Sequence, residues 1–156
     1  MNKKGFTLIE LLIVIVIIGL LAAVVIAAIN PVESRNRAVD AGLKSDAGQV
    51  YNAIERHYAS RGFFPWQTSA TDNTSIGNSG TLATATWVGG ALVSTGEIKP
   101  EFAGRPNLAN IRVYQNGSSV SVCFTPVSQS FLSLRNGSNT GTRVAVGSGT
   151  QVCLPE

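Results

Sequence analysis

Histidine, cysteine and charge are all scarce in this 156-residue chain. A single histidine, His57, disposes of histidine metal sites and of most catalytic triads. It sits inside a helical pattern beside Tyr58 and is expected to be a plain, partly exposed residue. The two cysteines, Cys123 and Cys153, lie 30 positions apart, which excludes a CxxC redox pair and a zinc ligand set. No phosphate-binding glycine loop is present, because Gly147-Ser148-Gly149 lacks both a third glycine and a Lys-Ser/Thr ending. Charged residues make up only 13% of the chain, and two of the twelve basic ones are Lys3 and Lys4. Without those two, ten basic groups face nine acidic ones, so the slight net charge of +3 gives no argument for nucleic-acid binding. The length suits one domain with an appendage.

What the chain does have is a long apolar run. From Phe6 to Ile29 the only charged residue is Glu10. As a helix, 24 residues extend about 36 Å at about 1.5 Å per residue, enough to cross a hydrocarbon layer of about 30 Å with some tilt. Leu11–Ile29 alone exceeds the apolar region of roughly 7–15 residues found in a secretory signal. Lys3 and Lys4 hold the N-terminus in the cytoplasm and place the bulk of the chain outside. Two well-separated cysteines behind such a start suggest one structural disulfide, the alternative being two buried free thiols.

Glu10 fits neither a plain signal peptide nor a plain anchor. An acidic side chain in the apolar layer costs about 2.5–3.5 kcal/mol, less near the interface. Cleavage after Gly5 would create an α-amine on Phe6. Within one helix that amine is poorly placed for Glu10, but between two staggered neighbouring helices the pair neutralises both charges. Lys3-Lys4-Gly5, then Phe6-Thr7-Leu8-Ile9-Glu10, then an apolar helix, resembles the leader and N-terminus of type IV prepilins and type II secretion pseudopilins. The resemblance implies cleavage between Gly5 and Phe6 by a prepilin peptidase, methylation of the new amine, and registration of the subunit by Glu10 against a neighbour's N-terminus. It further implies an assembly ATPase and a membrane platform as partners, since nothing in the chain binds ATP. The product is a homopolymeric filament whose core is a bundle of the apolar helices.

Asn30-Pro31 is expected to kink or unwind the helix, and Gly19 to weaken it upstream. Relatives often carry a proline where Ala27 stands here. Beyond Pro31, Val39, Leu43, Ala47, Val50, Ile54 and Tyr58 recur at steps of three or four as one apolar stripe, with Asp40 and Asp46 assigned to other faces. Gly62 is the expected C-cap and Pro65 the stop. Tyr58 to Pro65 resembles the helix-ending YxxxxGxYP of pilins, with Phe64 in place of tyrosine.

From Gln67 to about Asn110 the chain reads as a long variable loop with one short element. Ile111 and Val113 then lead to a turn at Asn116-Gly117, answered by Val120, Val122 and Phe124. A second hairpin is expected, with Phe131–Leu134 and Arg143–Val146 joined at Asn136-Gly137, followed by a last strand over Gln151–Leu154. The pattern reads as α+β, and the resemblance implies a pilin fold in which a long N-terminal helix packs against a C-terminal antiparallel sheet. Its parts are a leader over 1–5, a transmembrane and filament-core helix over 6–30, an amphipathic helix over 31–62, and a β-rich head over 63–156 bounded by Cys123–Cys153.

Asp72-Asn73-Thr74 offers oxygen ligands of the kind that calcium-holding pseudopilin loops use. Acidic groups are sparse in the head, however, and a calcium ion needs six to eight oxygens. Asn73, Asn116 and Asn136 each begin an N-x-S/T triplet. Turn chemistry accounts for the last two. Trp66 and Trp87 are read as core packing. The resemblance thus implies a structural protein and not an enzyme: a type IV pilin, expected to be membrane-anchored as a single-pass precursor and then displayed on the bacterial surface. The alternatives are a major pseudopilin of a type II secretion system and a minor pilin or membrane-tethered binding module. The last would need a basic or aromatic patch that Arg105, Arg112, Arg135 and Arg143 do not establish.

Overall fold

The computed structural model of the chain describes residues 5–28, 30–76, 78–135 and 151–155. It divides into two units, Met1–Arg35 and Asn36–Glu156.

The first unit contains α1, Leu8–Ala28. Its 21 residues extend roughly 32 Å at about 1.5 Å per residue. Leu, Ile, Val and Ala occupy every side of it, the pattern of a helix meant for lipid or for the middle of a bundle. Its large apolar side chains are exposed, from Leu8 at 88% to Val14 at 44%. α1 runs through Gly19 without a break, and a Cβ added there would meet nothing within 4 Å. Pro31 does not kink a continuing helix. It opens the next one, α2, Pro31–Arg61. Asn30 caps that start, its Oδ1 accepting the Glu33 N–H at 3.2 Å and its carbonyl accepting the Ser34 N–H at 3.1 Å. Proline at the first helical position loses nothing, because its missing N–H would have been unpaired there anyway.

α2 supplies the helical layer of the second unit. Its C-terminus closes on Gly62, whose φ of 77° lets it follow the last turn in the left-handed conformation while its N–H bonds Tyr58 O at 2.8 Å. Four strands form one antiparallel sheet in sequence order: β1 (Asn78–Thr81), β2 (Ile111–Asn116), β3 (Ser119–Phe124) and β4 (Val152–Leu154). β2 and β3 pair from Ile111↔Phe124 to Asn116↔Ser119. Their turn falls one residue later than expected, with Gly117-Ser118 as the loop and only Gly117, at φ 59°, left-handed. That is the pattern of a II′ turn, which takes glycine first, and not of the I′ turn that Asn-Gly would make.

The core lies between α2 and the sheet. Leu43, Ala47, Val50, Ala53 and Ile54 from the helix pack in one cluster with Ile111, Val113, Val122 and Phe124 from the strands. The buried stripe is broader than the expected one. Val39 and Tyr58, at its two ends, are 44% and 38% exposed, whereas Asp40, Asp46 and His57 are buried.

The stretch between Gln67 and Asn110 carries more structure than one short element. After β1 come a 3-10 turn over Leu82–Thr84, a π turn over Val88–Leu92, α3 (Pro100–Ala103) and another 3-10 turn over Pro106–Asn110. Each is short and delivers one or two core side chains: Leu82, then Val88 and Leu92, then Phe102, then Leu108. Elements of that length leave isolated apolar residues and no period in the sequence.

The strand expected over Phe131–Leu134 is instead helical, as α4, Gln129–Arg135. Ser128 explains the switch. Its hydroxyl accepts the Phe131 N–H at 3.4 Å and its carbonyl the Leu132 N–H at 2.9 Å, which starts a helix and turns Phe131 onto Phe124 with ring centroids 6.1 Å apart. The turn at Asn136-Gly137 and the strand over Arg143–Val146 lie outside the described residues. β4 returns to pair with β3, placing Cys153 directly opposite Cys123, and the two form a disulfide with Cα atoms 4.0 Å apart.

Candidate functional site

At the N-terminal segment, Gly5, Phe6 and Thr7 precede the helix in no regular structure, and Phe6 is 80% exposed. Thr7 and Glu10 form a reciprocal cap on α1. The Glu10 N–H donates to Thr7 Oγ1 at 3.3 Å, while the Glu10 carboxylate accepts the Thr7 N–H at 2.8 Å and the Thr7 hydroxyl at 2.7 Å. Two N-terminal amides that no helix can satisfy internally are thereby paired. The carboxylate also stands at the positive end of the helix dipole. Thr7-x-x-Glu10 ahead of an apolar run is a sequence pattern for this cap, and it was there to be read. Cutting the Gly5–Phe6 bond leaves the Thr7 amide in place, so the cap does not depend on the leader.

Glu10 is otherwise the single charged residue in α1, whose large apolar side chains are exposed. Among the described residues it is also the one helix long and apolar enough to cross a membrane, over Leu8–Ile26. Such a surface is stable only against lipid or against other helices.

In the second unit, two carboxylates on α2 were missed by the apolar period because they lie on its buried face. Asp40, fully buried, accepts Val127 N–H at 3.0 Å, Ser128 N–H at 2.7 Å and the Ser128 hydroxyl at 2.6 Å. Asp46 accepts Arg105 Nη1 at 2.6 Å and Asn107 Nδ2 at 2.9 Å, and the Arg105 guanidinium lies 4.9 Å from the centre of the Phe102 ring. Arg105 and Asn107 enter β2, whereas Val127 and Ser128 leave β3. One helix therefore ties down both strands of the central hairpin at its open end, where Ile111 pairs with Phe124. Near the end of α2, Arg56 binds Glu97 twice, Nε to the carboxylate at 2.8 Å and Nη2 to the backbone carbonyl at 2.9 Å.

His57 is buried, not partly exposed. Its Nδ1 lies 3.1 Å from Phe63 O, and the ring meets Phe63 edge-on at 5.6 Å. The chain turns back at Gly62 just beyond it and covers it. Trp66 and Trp87 pack against the core as expected. They continue a line of rings from Tyr58 through Phe64, with successive centroids 4.5, 4.9 and 5.3 Å apart.

Asp72 organises its own loop. Its oxygens accept the hydroxyl and N–H of Thr74 and the N–H and hydroxyl of Thr68. The Thr74 hydroxyl foremost, then the Thr68 and Thr74 amides, holds its carboxyl well below the usual carboxylate range. A cation at this loop would have to displace those donors. Among the described residues no three His, Cys, Asp or Glu side chains converge on a metal position.

Residues 1–26 match the family model described as the prokaryotic N-terminal methylation motif, a stretch that contains Gly5, Phe6, Glu10 and Gly19. Over 97 residues the chain is 38% identical to a fimbrial protein of Neisseria meningitidis, covering 62% of this chain and 51% of that one. It is 43% identical over 75 residues to the type IV major pilin protein PilE of Neisseria gonorrhoeae, covering 48% and 41%. Over 80 residues it is 38% identical to the fimbrial protein EcpC of Eikenella corrodens, covering 51% and 48%. The matches thus span about half the length of these curated relatives. No solved structure matches.

Proposed function

We propose that this chain is a type IV pilin, the structural subunit of a pilus assembled through α1 after cleavage between Gly5 and Phe6. The observation that carries this reading is the N-terminal methylation motif on a helix whose large apolar side chains are exposed. Likeness to neisserial fimbrial and major pilin proteins supports it. Lipid covers α1 in the precursor, and the α1 helices of neighbouring copies cover it in the filament. Exchanging one apolar surrounding for another costs little, which suits a subunit that must leave the membrane. The exception is Glu10, whose charge is best neutralised by the Phe6 amine of a neighbour, so that register follows from charge. A prepilin peptidase, an assembly ATPase and a membrane platform are the partners this route requires, and the surface of the cell is its end.

The test is mass spectrometry of the N-terminal peptide from fibres sheared off cells. A peptide beginning at Phe6 and carrying one added methyl is the expected result. A chain found only in membranes, with residues 1–5 still attached, would overturn the reading.

A further inference from the structure

β2 and β3 meet in a loop of two residues, Gly117-Ser118, and the residue that enters it is Asn116. All three are exposed, and a Cβ added to Gly117 would meet nothing within 4 Å. Gln115 fixes the far side of the loop, its Nε2 donating to Gly117 O at 2.9 Å. Its Oε1 in turn accepts Trp66 Nε1 at 2.9 Å and the Ile76 N–H at 3.1 Å. The near side is not fixed. Among the described residues no hydrogen bond engages the Asn116 side chain or the Gly117 N–H.

A carboxamide beside an unhindered backbone nitrogen is a reactive pair, because the nitrogen can attack the side-chain carbon and close a five-membered imide. The other described asparagines each lack one part of that pair. Asn30 precedes Pro31, which has no N–H, and its Oδ1 is taken by the Glu33 amide. Asn36 and Asn52 lie within α2, where the following amide is committed to the helix. Asn73 precedes Thr74, whose N–H donates to Asp72 Oδ1 at 2.9 Å. Asn78 lies within β1. Asn107 donates its own Nδ2 to Asp46, and Asn110 precedes Ile111, whose N–H donates to Leu108 O. At Asn116 alone are both partners exposed and unengaged. Turning the Gly117 nitrogen onto Asn116 Cγ disturbs only the Asn116↔Ser119 pair, the last of six, and the end of a ladder opens at little cost. Glycine follows that turn because its backbone accepts either sign of φ.

We propose that Asn116 is a site of spontaneous deamidation, kept reactive by the open two-residue loop, and that the tip of the hairpin gains a negative charge as the protein ages. Hydroxide takes the proton from the Gly117 nitrogen, which bonds to Asn116 Cγ. The bond from Cγ to Nδ2 breaks, and Nδ2 leaves as ammonia with a proton from water. Water then opens the imide at either carbonyl. One opening gives an aspartyl residue. The other gives an isoaspartyl residue, which routes the main chain through the side-chain carbon and lengthens it at the mouth of the loop. Water is the only co-reactant, and no electrons change hands. Where residues 1–5 have been cut away, the conversion sets ten basic groups against ten acidic ones, and a chain without net charge associates more readily. The deamidation itself does not depend on the pilin reading.

The experiment incubates the full-length chain in detergent at mildly alkaline pH, beside the same chain unfolded in urea. After reduction and trypsin digestion, mass spectrometry follows each asparagine and separates aspartyl from isoaspartyl forms. Cleavage after Arg112 and Arg135 leaves Asn116 as the one asparagine of its peptide, apart from Asn136. In the folded chain Asn116 is expected to convert at least tenfold faster than Asn36, Asn52, Asn73, Asn107 or Asn110, a barrier lower by roughly 1.4 kcal/mol. Unfolding is expected to raise its rate by less than tenfold. A larger rise would show that the folded loop holds the pair apart, and would overturn the proposal. A folded rate no faster than the other five would do the same. Both product forms are expected, and an aspartyl product alone would mean direct hydrolysis without the backbone nitrogen, which also sinks the idea. Gly117→Ala sets a methyl beside the nitrogen and is expected to slow conversion at least tenfold in urea, where strain at φ 59° plays no part. An unchanged rate there would rule out the Gly117 nitrogen as the attacking atom.

Discussion

Asp40 shows what a single carboxylate can hold. Three donors converge on this fully buried carboxylate, and replacing it by alanine removes the acceptor of the Val127 and Ser128 amides. Asp40→Ala is expected to destabilise the second unit by about 2–4 kcal/mol, read as a lowered denaturation midpoint. An unchanged midpoint would mean that water or another acceptor takes its place. Glu10 calls for a pair of substitutions, because it caps α1 and, on the proposed function, also pairs with a neighbour's amine. Glu10→Gln can still cap α1 but carries no charge, whereas Glu10→Val loses both. Both variants are expected to lack surface fibres, and electron microscopy of cells decides it. Fibres in Glu10→Gln would show that the cap and not the charge is what assembly needs. The cap was not hidden, since the Thr7-x-x-Glu10 pattern ahead of an apolar run is plain in the sequence. Asp40 was hidden. An acidic residue in a helical stripe reads as solvent-facing until the donors that meet it, 87 and 88 positions away, are known.

Elements with a period were legible, and elements without one were not. The two helices, the β2–β3 hairpin and the final strand announce themselves by run length, by alternation around a glycine turn, or by an apolar Val152-Cys153-Leu154. The stretch from Leu82 to Asn110 did not, because each short turn there buries one or two residues. α4 was mistaken for a strand because Phe131–Leu134 stands just before Asn136-Gly137, a hairpin-like turn signal, and Ser128 at the start argued for a helix. The loop at Asp72 supplies the prediction at this scale. Its carboxyl binds a proton less readily in the folded loop than in the unfolded chain, whose value is 3.8. The stabilisation is therefore complete above about pH 4 and disappears as the pH falls through the lower folded value. A carboxyl carbon titration of Asp72 by NMR is expected to show a midpoint clearly below 3.8, and the Thr68 and Thr74 amides should shift with it. A midpoint at the ordinary value would mean that the loop is open in solution.

For the whole molecule, the division at Arg35 separates a unit that has no core of its own from one that does. The sequence made this plain through the distribution of its charge, and the disulfide followed from the compartment that the first unit implies. Gly5→Leu is expected to leave an uncleaved precursor in the membrane, detected by its retained leader on an N-terminal peptide, because a peptidase must seat the residue before the cut. Cleaved protein in that variant would point to another processing route.

The two carboxylates on α2 have a mechanical meaning. A pull along that helix reaches the hairpin through both of its strands, Asp46 just before β2 and Asp40 just after β3, in parallel with the apolar contact between helix and sheet. Load shared between two attachments is not carried by one strand at a time. Resistance of the head to unzipping under tension should therefore fall more when both carboxylates are removed than the two single losses add up to.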